Sequence, residues 1–503
     1  MSDTAVIDRV DPRALLTDKN IRTRTDLDDD FVGSIRELGV LERIAVVRTA
    51  GGQLRVVMGE RRTLGAIKAG QADVPVEIIG DEAEDDDAEI QRRIIQYAEN
   101  KHRRGLSAAD EVRFVQGLFD LGVDEAQIRQ RARMPEADLA AAARAARSKL
   151  AAAAVGRYEF LTLEMGAALA EFEDAEDAEA VKALVAAAQR GEGHFRQVLQ
   201  RARDERAERI AYEATRAALE ADGVVVLDGR PDQPAQPLGY MRLEEADHRD
   251  CPGHAARLNH TWVEETAQAP AGADDDYDDE EYGDEDYDDP GPAARHGHYE
   301  WRPFFYCLDP VTHGHITPPP AAAQPGAADG PDVPSAEDAA AAAAAAAEAE
   351  TAERRRVLQG NKLWRSAETV RREWLRTFLS RKTAPAGAVT FVLAAVAGGS
   401  YELRKAMENG HEMAGDLLGL TRPAGNPWRD YGVTAAFEEA KEGRAQVIGL
   451  AVVLAAYEAQ TGVHTWRNGA EMGRRYLTAL AGWGYTLSEI EQYVVDGTDF
   501  MTA

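Results

Sequence analysis

The sequence predicts an α+β protein: a small N-terminal α/β domain, a helical domain, a disordered acidic linker and an all-helical C-terminal domain. Three observations predict it. Short β-type apolar runs alternate with helical periodicity over the first hundred residues. Strand signals nearly vanish from Ser107 onward. Pro, Gly and Asp then dominate from Asp222 to about Pro334, which reads as mostly linker with one ordered island, before helical patterns resume. The implied borders are 1–105, 106–222, 223–334 and 335–503, and a chain of 503 residues is long enough for several cores.

In chain order, Asp26–Leu38 begins with acidic residues, places Phe31, Ile35 and Leu38 at helical spacing and ends at Gly39. Ile44–Arg48 and Leu54–Met58 flank Ala50-Gly51-Gly52 and read as a hairpin. Glu60–Lys68 reads as a helix closed by Gly70, Val74–Ile79 as a strand, and Asp87–His102 as a helix with Ile90, Ile94, Tyr97 and Ala98 inward. Ser107-Ala-Ala-Asp110 opens a helix with Val112, Val115, Leu118 and Phe119 inward, stopped by Gly122. Asp124–Arg133 is a short helix, Met134-Pro135-Glu136 a break and Ala137–Ala154 the next helix. Further helices are predicted over Leu161–Phe172, Ala175–Gln189 and Gly193–Leu219. Ser335-Ala-Glu-Asp338 caps a helix with nine alanines in a row, and later breaks fall at Pro385, Gly398-Gly399 and Pro423–Pro427.

The net charge of −30 is unevenly spread, so it does not exclude nucleic acid. Twelve of the sixteen positions from Asp274 to Asp289 are Asp or Glu, the mark of a solvated linker. Two cysteines exclude a disulfide scaffold. The first residues carry neither a basic nor an apolar signal region, so a cytoplasmic protein is expected. The most apolar windows, Ala388–Ala397 and Val447–Tyr457, are about half the roughly 20 residues of a membrane span, so no membrane partner is expected.

Met58-Gly59-Glu60-Arg61-Arg62 stands at a strand-to-helix junction. Glycine lets backbone approach a ligand, a helix N-terminus offers free N–H groups, and paired guanidinium forks suit phosphate. Glu99-Asn100-Lys101-His102-Arg103 closes the long helix; Glu99 and Asn100 offer oxygens of the kind Mg²⁺ accepts, and Arg103 a further phosphate contact. Together these boxes resemble the GERR and ENxxR boxes of the ParB family of DNA-partition proteins. Asn20-Ile-Arg22, Ser34–Leu41, Gly65–Gly70, Ser107–Gly122 and the helix pair Asp124–Lys149 extend the resemblance over about residues 7–220.

The resemblance implies a CTP-binding, weakly hydrolysing N-domain that clamps on double-stranded DNA after loading at a centromere-like site. It implies a plasmid or chromosome partition factor, homodimeric and nucleoid-associated, with a ParA-type partner ATPase. By position, Gly59, Glu60, Arg61, Arg62 and Arg103 would contact the triphosphate. Glu99 and Asn100 would hold Mg²⁺, with Glu99 near the attacking water. Leu64 stands where the family carries a third arginine, and Glu42-Arg43 where it carries Gln-Pro. Two other readings compete: a ParB-like regulator of a mobile element that never slides, and a nucleotide-binding scaffold assembled through the C-terminal helices.

Within the helix-turn-helix candidate Asp124–Lys149, the stretch Ala126–Lys149 carries six basic and two acidic residues. Arg144, Arg147 and Lys149 lie late on its second helix; Arg196, Arg201 and Arg203 recur further on. Both cysteines and seven of eleven histidines fall between His248 and His315. Cys251-Pro-Gly-His254 and Cys307 through His313 and His315 form two knuckles that match a structural Zn²⁺ site. The expected ligands are Cys251, His254, Cys307 and one of His313 or His315, with His248 in reserve. Arg354–Lys382 holds ten basic and two acidic residues interleaved with Trp364, Trp374, Leu375 and Phe378. That pattern fits either a docked helix or a DNA contact, and core packing of the aromatics is the favoured reading.

Overall fold

A computed structural model describes residues 6–17, 27–81, 86–104, 106–264, 297–315, 336–421, 431–468 and 471–497. The fold is mixed α+β, with helices predominating and two small sheets. The chain divides into two compact units, Met1–Phe195 and Arg196–Ala503, and the division falls inside the helix Glu192–Ala221.

The first unit opens with a sheet of strands β1 (Val6–Val10), β2 (Ile44–Arg48), β3 (Leu54–Met58) and β4 (Val74–Asp81) in the order β1-β4-β2-β3. β2 and β3 form the expected hairpin, β2 runs parallel to β4, and β1 closes the edge antiparallel to β4. β1 escapes sequence reading because it is an edge strand whose Ile7 is exposed, so it shows no alternating burial. Ile44, Val46, Val56, Val74 and Val76 meet Ile35 and Ala66 in one core. Thus the helices Asp29–Leu38 and Glu60–Ala69 cover this sheet with their apolar faces.

The helix Asp86–Arg104 buries Ile90, Ile94 and Tyr97 as expected, but Ala98 faces solvent. It docks on the next helix, Ala108–Phe119, through Tyr97 stacked on Phe114 at 4.2 Å between centroids. Ser107 and Asp110 form the expected capping box. The helix expected over Ala137–Ala154 is two helices, Glu136–Arg147 and Lys149–Arg157. Ser148 separates them with extended backbone, and its hydroxyl accepts from Ala151 N at 2.8 Å. Glu173 holds the same hydroxyl from another helix and also accepts from Leu150 N. A serine cap fixed by a distant carboxylate thus outweighs the alanine-rich helical propensity on either side.

In the second unit, order within 223–334 extends beyond the Cys/His knuckles. Its described residues hold a sheet of β5 (Val225–Leu227), β6 (Gln236–Pro237), β7 (His254–Glu264) and β8 (Gly297–Cys307), in the order β5-β7-β8-β6. β7 and β8 pair antiparallel along their whole length, from His254 opposite Cys307 to Glu264 opposite Gly297. The arms are separated by residues 265–296, so no short turn signals the hairpin in the sequence. The acidic run Asp274–Asp289 lies outside the described residues.

From Ala336 to Leu379 one continuous helix carries the basic–aromatic stretch. Trp364, Leu375 and Phe378 are buried in a core centred on the apolar helix Glu442–Gln460. The aromatics of Arg354–Lys382 are therefore packing residues. Among the described residues, no helix is long and apolar enough to cross a membrane.

Candidate functional site

Gly59 ends β3 and begins the helix Glu60–Ala69 with φ 101°, ψ 21°, a left-handed conformation that glycine adopts without strain. A Cβ there would touch Ile44 at 3.4 Å, an ordinary contact, so the backbone conformation is what calls for glycine. The next turn presents Glu60, Arg61 and Arg62, all half-buried, at the positive end of the helix. Arg61 Nη2 is 2.7 Å from Asp28 Oδ2, and its guanidinium lies 4.1 Å from the centre of the Phe31 ring. Arg62 Nη1 donates to the Arg43 carbonyl at 2.8 Å and is 3.2 Å from Glu42 Oε2. The two positions where the sequence departs from Gln-Pro are thus the ones that hold Arg62.

Asn100 is half-buried on the helix Asp86–Arg104. Glu99 and Arg103 have helical backbone, and their side chains lie outside the described residues. The end of this helix is tied down by Lys101, a residue that sequence reading passed over. Lys101 Nζ donates to the Tyr97 hydroxyl at 2.8 Å and is 3.8 Å from Glu111 Oε1. Burial raises the Glu111 carboxyl above its ordinary value, with the Lys101 charge opposing. The helix end that carries Asn100 is therefore locked to the following helix rather than left to fray.

The helix pair Glu125–Ala132 and Glu136–Arg147 turns at Arg133, whose φ of 52° supplies the left-handed corner that glycine usually provides. On the second helix Leu139, Ala142, Ala143, Ala145 and Ala146 are buried, while Arg144 and Arg147 are exposed; Lys149, expected late on this helix, is exposed at the start of the next one, because Ser148 breaks the chain between them. Arg147 is 2.6 Å from Glu125. Arg196 and Arg203 are exposed on the helix Glu192–Ala221; Arg201 is half-buried and turned towards Glu489 at 3.7 Å.

The cysteines and histidines converge in the second unit. The ligand atoms of His248, Cys251, Cys307 and His315 all lie within 4.8 Å of one another. His254 reaches the group through His248, Nδ1 to Nδ1 at 2.9 Å, and His313 Nδ1 is 3.4 Å from Cys307 Sγ. Burial lowers the pKa of both His248 and His254 and raises the Cys307 thiol to about 11.

Comparison with known proteins bears on the N-terminal boxes. No family model matches the chain. It is 32% identical over 94 residues to a probable chromosome-partitioning protein ParB of Treponema pallidum. It is 31% identical over 102 residues to the chromosome-partitioning protein Spo0J of Thermus thermophilus. The N-terminal part of the chain is ParB-like. These matches cover 19% and 20% of this chain, and only 27% and 35% of those two ParB proteins. Among solved structures, the C-terminally truncated ParB of Caulobacter crescentus complexed with CTP-gamma-S is 25% identical, covering 35% of this chain and 97% of that one, TM-score 0.17. The same truncated ParB complexed to the centromeric parS site is 20% identical, covering 35% and 91%, TM-score 0.26.

Proposed function

We propose that this chain is a ParB-like DNA-partition protein whose N-terminal domain, residues 1–105, binds CTP with Mg²⁺ and gates retention on double-stranded DNA. The carrying observation is the left-handed Gly59 opening a helix whose first turn holds Arg61 and Arg62, within a ParB-like segment. Backbone N–H groups and two guanidinium forks there suit a triphosphate. In this reading Glu60 and Arg103 complete the phosphate site, Asn100 and Glu99 hold Mg²⁺, and Glu99 supports weak hydrolysis.

The helical domain, 106–222, meets the DNA. Arg144 is exposed opposite a buried alanine face and Lys149 is exposed at the start of the next helix, so they steer phosphate rather than read bases. Arg147 lies on the same helix as Arg144, and Arg196 and Arg203, exposed on the helix Glu192–Ala221, would supply phosphate contacts of their own. Residues 335–503 form the helical C-terminal domain, the protein acts as a homodimer on the nucleoid in the cytoplasm, and a ParA-type ATPase is its partner.

Charge-assisted hydrogen bonds contribute roughly 1.5–3 kcal/mol each, so Arg62→Ala weakens CTP binding at least about tenfold in a protein that stays folded. Asn100→Ala lowers Mg²⁺-dependent binding, and Glu99→Ala lowers turnover more than binding. Titration calorimetry with CTP and Mg²⁺ tests both boxes. Unchanged affinity in folded Arg62→Ala removes the cradle.

A further inference from the structure

The cluster in the second unit has the dimensions of a coordination shell. Cys251 Sγ and Cys307 Sγ are 4.0 Å apart, and His315 Nε2 is 3.4 Å from Cys251 Sγ. With Zn–S near 2.3 Å and Zn–N near 2.0–2.1 Å, tetrahedral edges are about 3.8 Å for S···S and about 3.6 Å for N···S. A disulfide would need about 2.05 Å, and both cysteines are free.

The fold assembles these donors from three segments. Backbone bonds from Cys251 N to His248 O and from His254 N to Cys251 O curl the first knuckle into two successive tight turns. β-pairing sets His254 opposite Cys307. His315 N donates to Pro310 O, folding the segment after β8 back on itself. Gly253 has no side chain where one would collide: a Cβ there would lie 2.6 Å from the His313 ring and 3.1 Å from Cys307 Sγ. Only glycine lets the first knuckle close on the second.

The histidines divide into two roles. His248 is 1% exposed and its Nδ1 is engaged with His254; Nε2 of both rings is buried with no hydrogen-bond partner among the described residues, but His248, not His254, lies in the close group with Cys251, Cys307 and His315. A buried, unpaired ring nitrogen is costly unless something binds it. We propose that His248 through Nε2, Cys251, Cys307 and His315 hold one Zn²⁺ in a closed, structural, tetrahedral site. His254 orients the His248 ring through the Nδ1 contact and is a positioning residue. His313 sits against Cys307 Sγ as a hydrogen-bonding neighbour. Relative to the sequence expectation, His248 replaces His254 as ligand, and His315 is chosen over His313. Four protein donors leave no open position, so the ion ties the knuckles and the β7–β8 sheet together rather than performing chemistry.

The test uses the full chain purified without chelator. Elemental analysis is expected to find about one zinc per chain, and X-ray absorption two sulfur neighbours near 2.3 Å and two nitrogen neighbours near 2.0 Å. Cys251→Ser, Cys307→Ser and His315→Ala lose the metal, His313→Ala keeps it, and His254→Ala weakens binding roughly ten- to a hundredfold. If the cysteine variants do not fold, wild-type protein stripped by chelator and refilled with Co²⁺ must show thiolate-to-cobalt charge-transfer bands. Zinc below about a tenth of an equivalent, before and after incubation with added Zn²⁺, overturns the site. So does an absorption spectrum with no sulfur neighbour. Zinc lost equally from His313→Ala and His315→Ala overturns the ligand assignment.

Discussion

Arg62 is held by the two residues just before β2: the Glu42 carboxylate and the Arg43 carbonyl. Glu42 is largely exposed, so the pair contributes little to stability, about 0–1 kcal/mol. A triphosphate arriving at the Gly59 turn would compete with that carboxylate for the same guanidinium. Glu42→Gln should therefore tighten CTP binding about two- to fivefold, a gain that shrinks with added salt. Calorimetry at low and high ionic strength checks it, and a weaker binder would show that Glu42 supports the site. The Gly59–Arg62 box is legible in sequence because glycine and paired arginines are adjacent along the chain. The restraint by Glu42 and Arg43 is not, because only the β2–β3 hairpin brings residues twenty positions apart together.

Among the elements, the helix Ala336–Leu379 is the one whose basic sequence misleads most. Arg371 is fully buried: Nε donates to Glu458 Oε2 at 2.6 Å and Nη1 to Glu491 Oε1 at 2.7 Å. Tyr476 donates to Glu458 at 2.8 Å, and Tyr485 to Glu491 at 3.1 Å. Such a network sets register between four helices, and removing one member strands a buried charge. Arg371→Ala should destabilise the second unit by about 3–5 kcal/mol in denaturant unfolding. Burial alone would raise the Glu458 carboxyl, but Arg371 outweighs it and the net direction is down. A depressed native value gives stability that is complete above the ordinary glutamate pKa of about 4.3 and is lost as pH falls through the native value. Stability should therefore fall steeply with acid below about pH 4, with a shallower slope in Glu458→Gln. The aromatic periodicity of this helix is legible in sequence. Its buried arginine is not, since nothing local distinguishes Arg371 from the exposed arginines around it.

For the whole molecule, charge is organised by region rather than by sum. Much of the −30 belongs to runs such as Asp274–Asp289, while Arg144, Lys149, Arg196 and Arg203 stand exposed on helices. The first sheet was readable from its β2–β3 hairpin and its glycine stops. The second was not, because its arms are far apart in sequence and β5 and β6 are only a few residues long. The Cys/His knuckles were readable as donors; choosing among six of them needed the register of β7 against β8. Nucleotide gating of DNA retention separates the proposed clamp from a plain operator-binding regulator. The direct measurement is the amount of protein held on closed circular DNA after a high-salt wash, with and without CTP and Mg²⁺. Strong retention is expected only with CTP, with loss of that retention when the DNA is cut and loss again in Arg62→Ala. Equal retention with and without CTP, unchanged by Arg62→Ala, would contradict nucleotide gating.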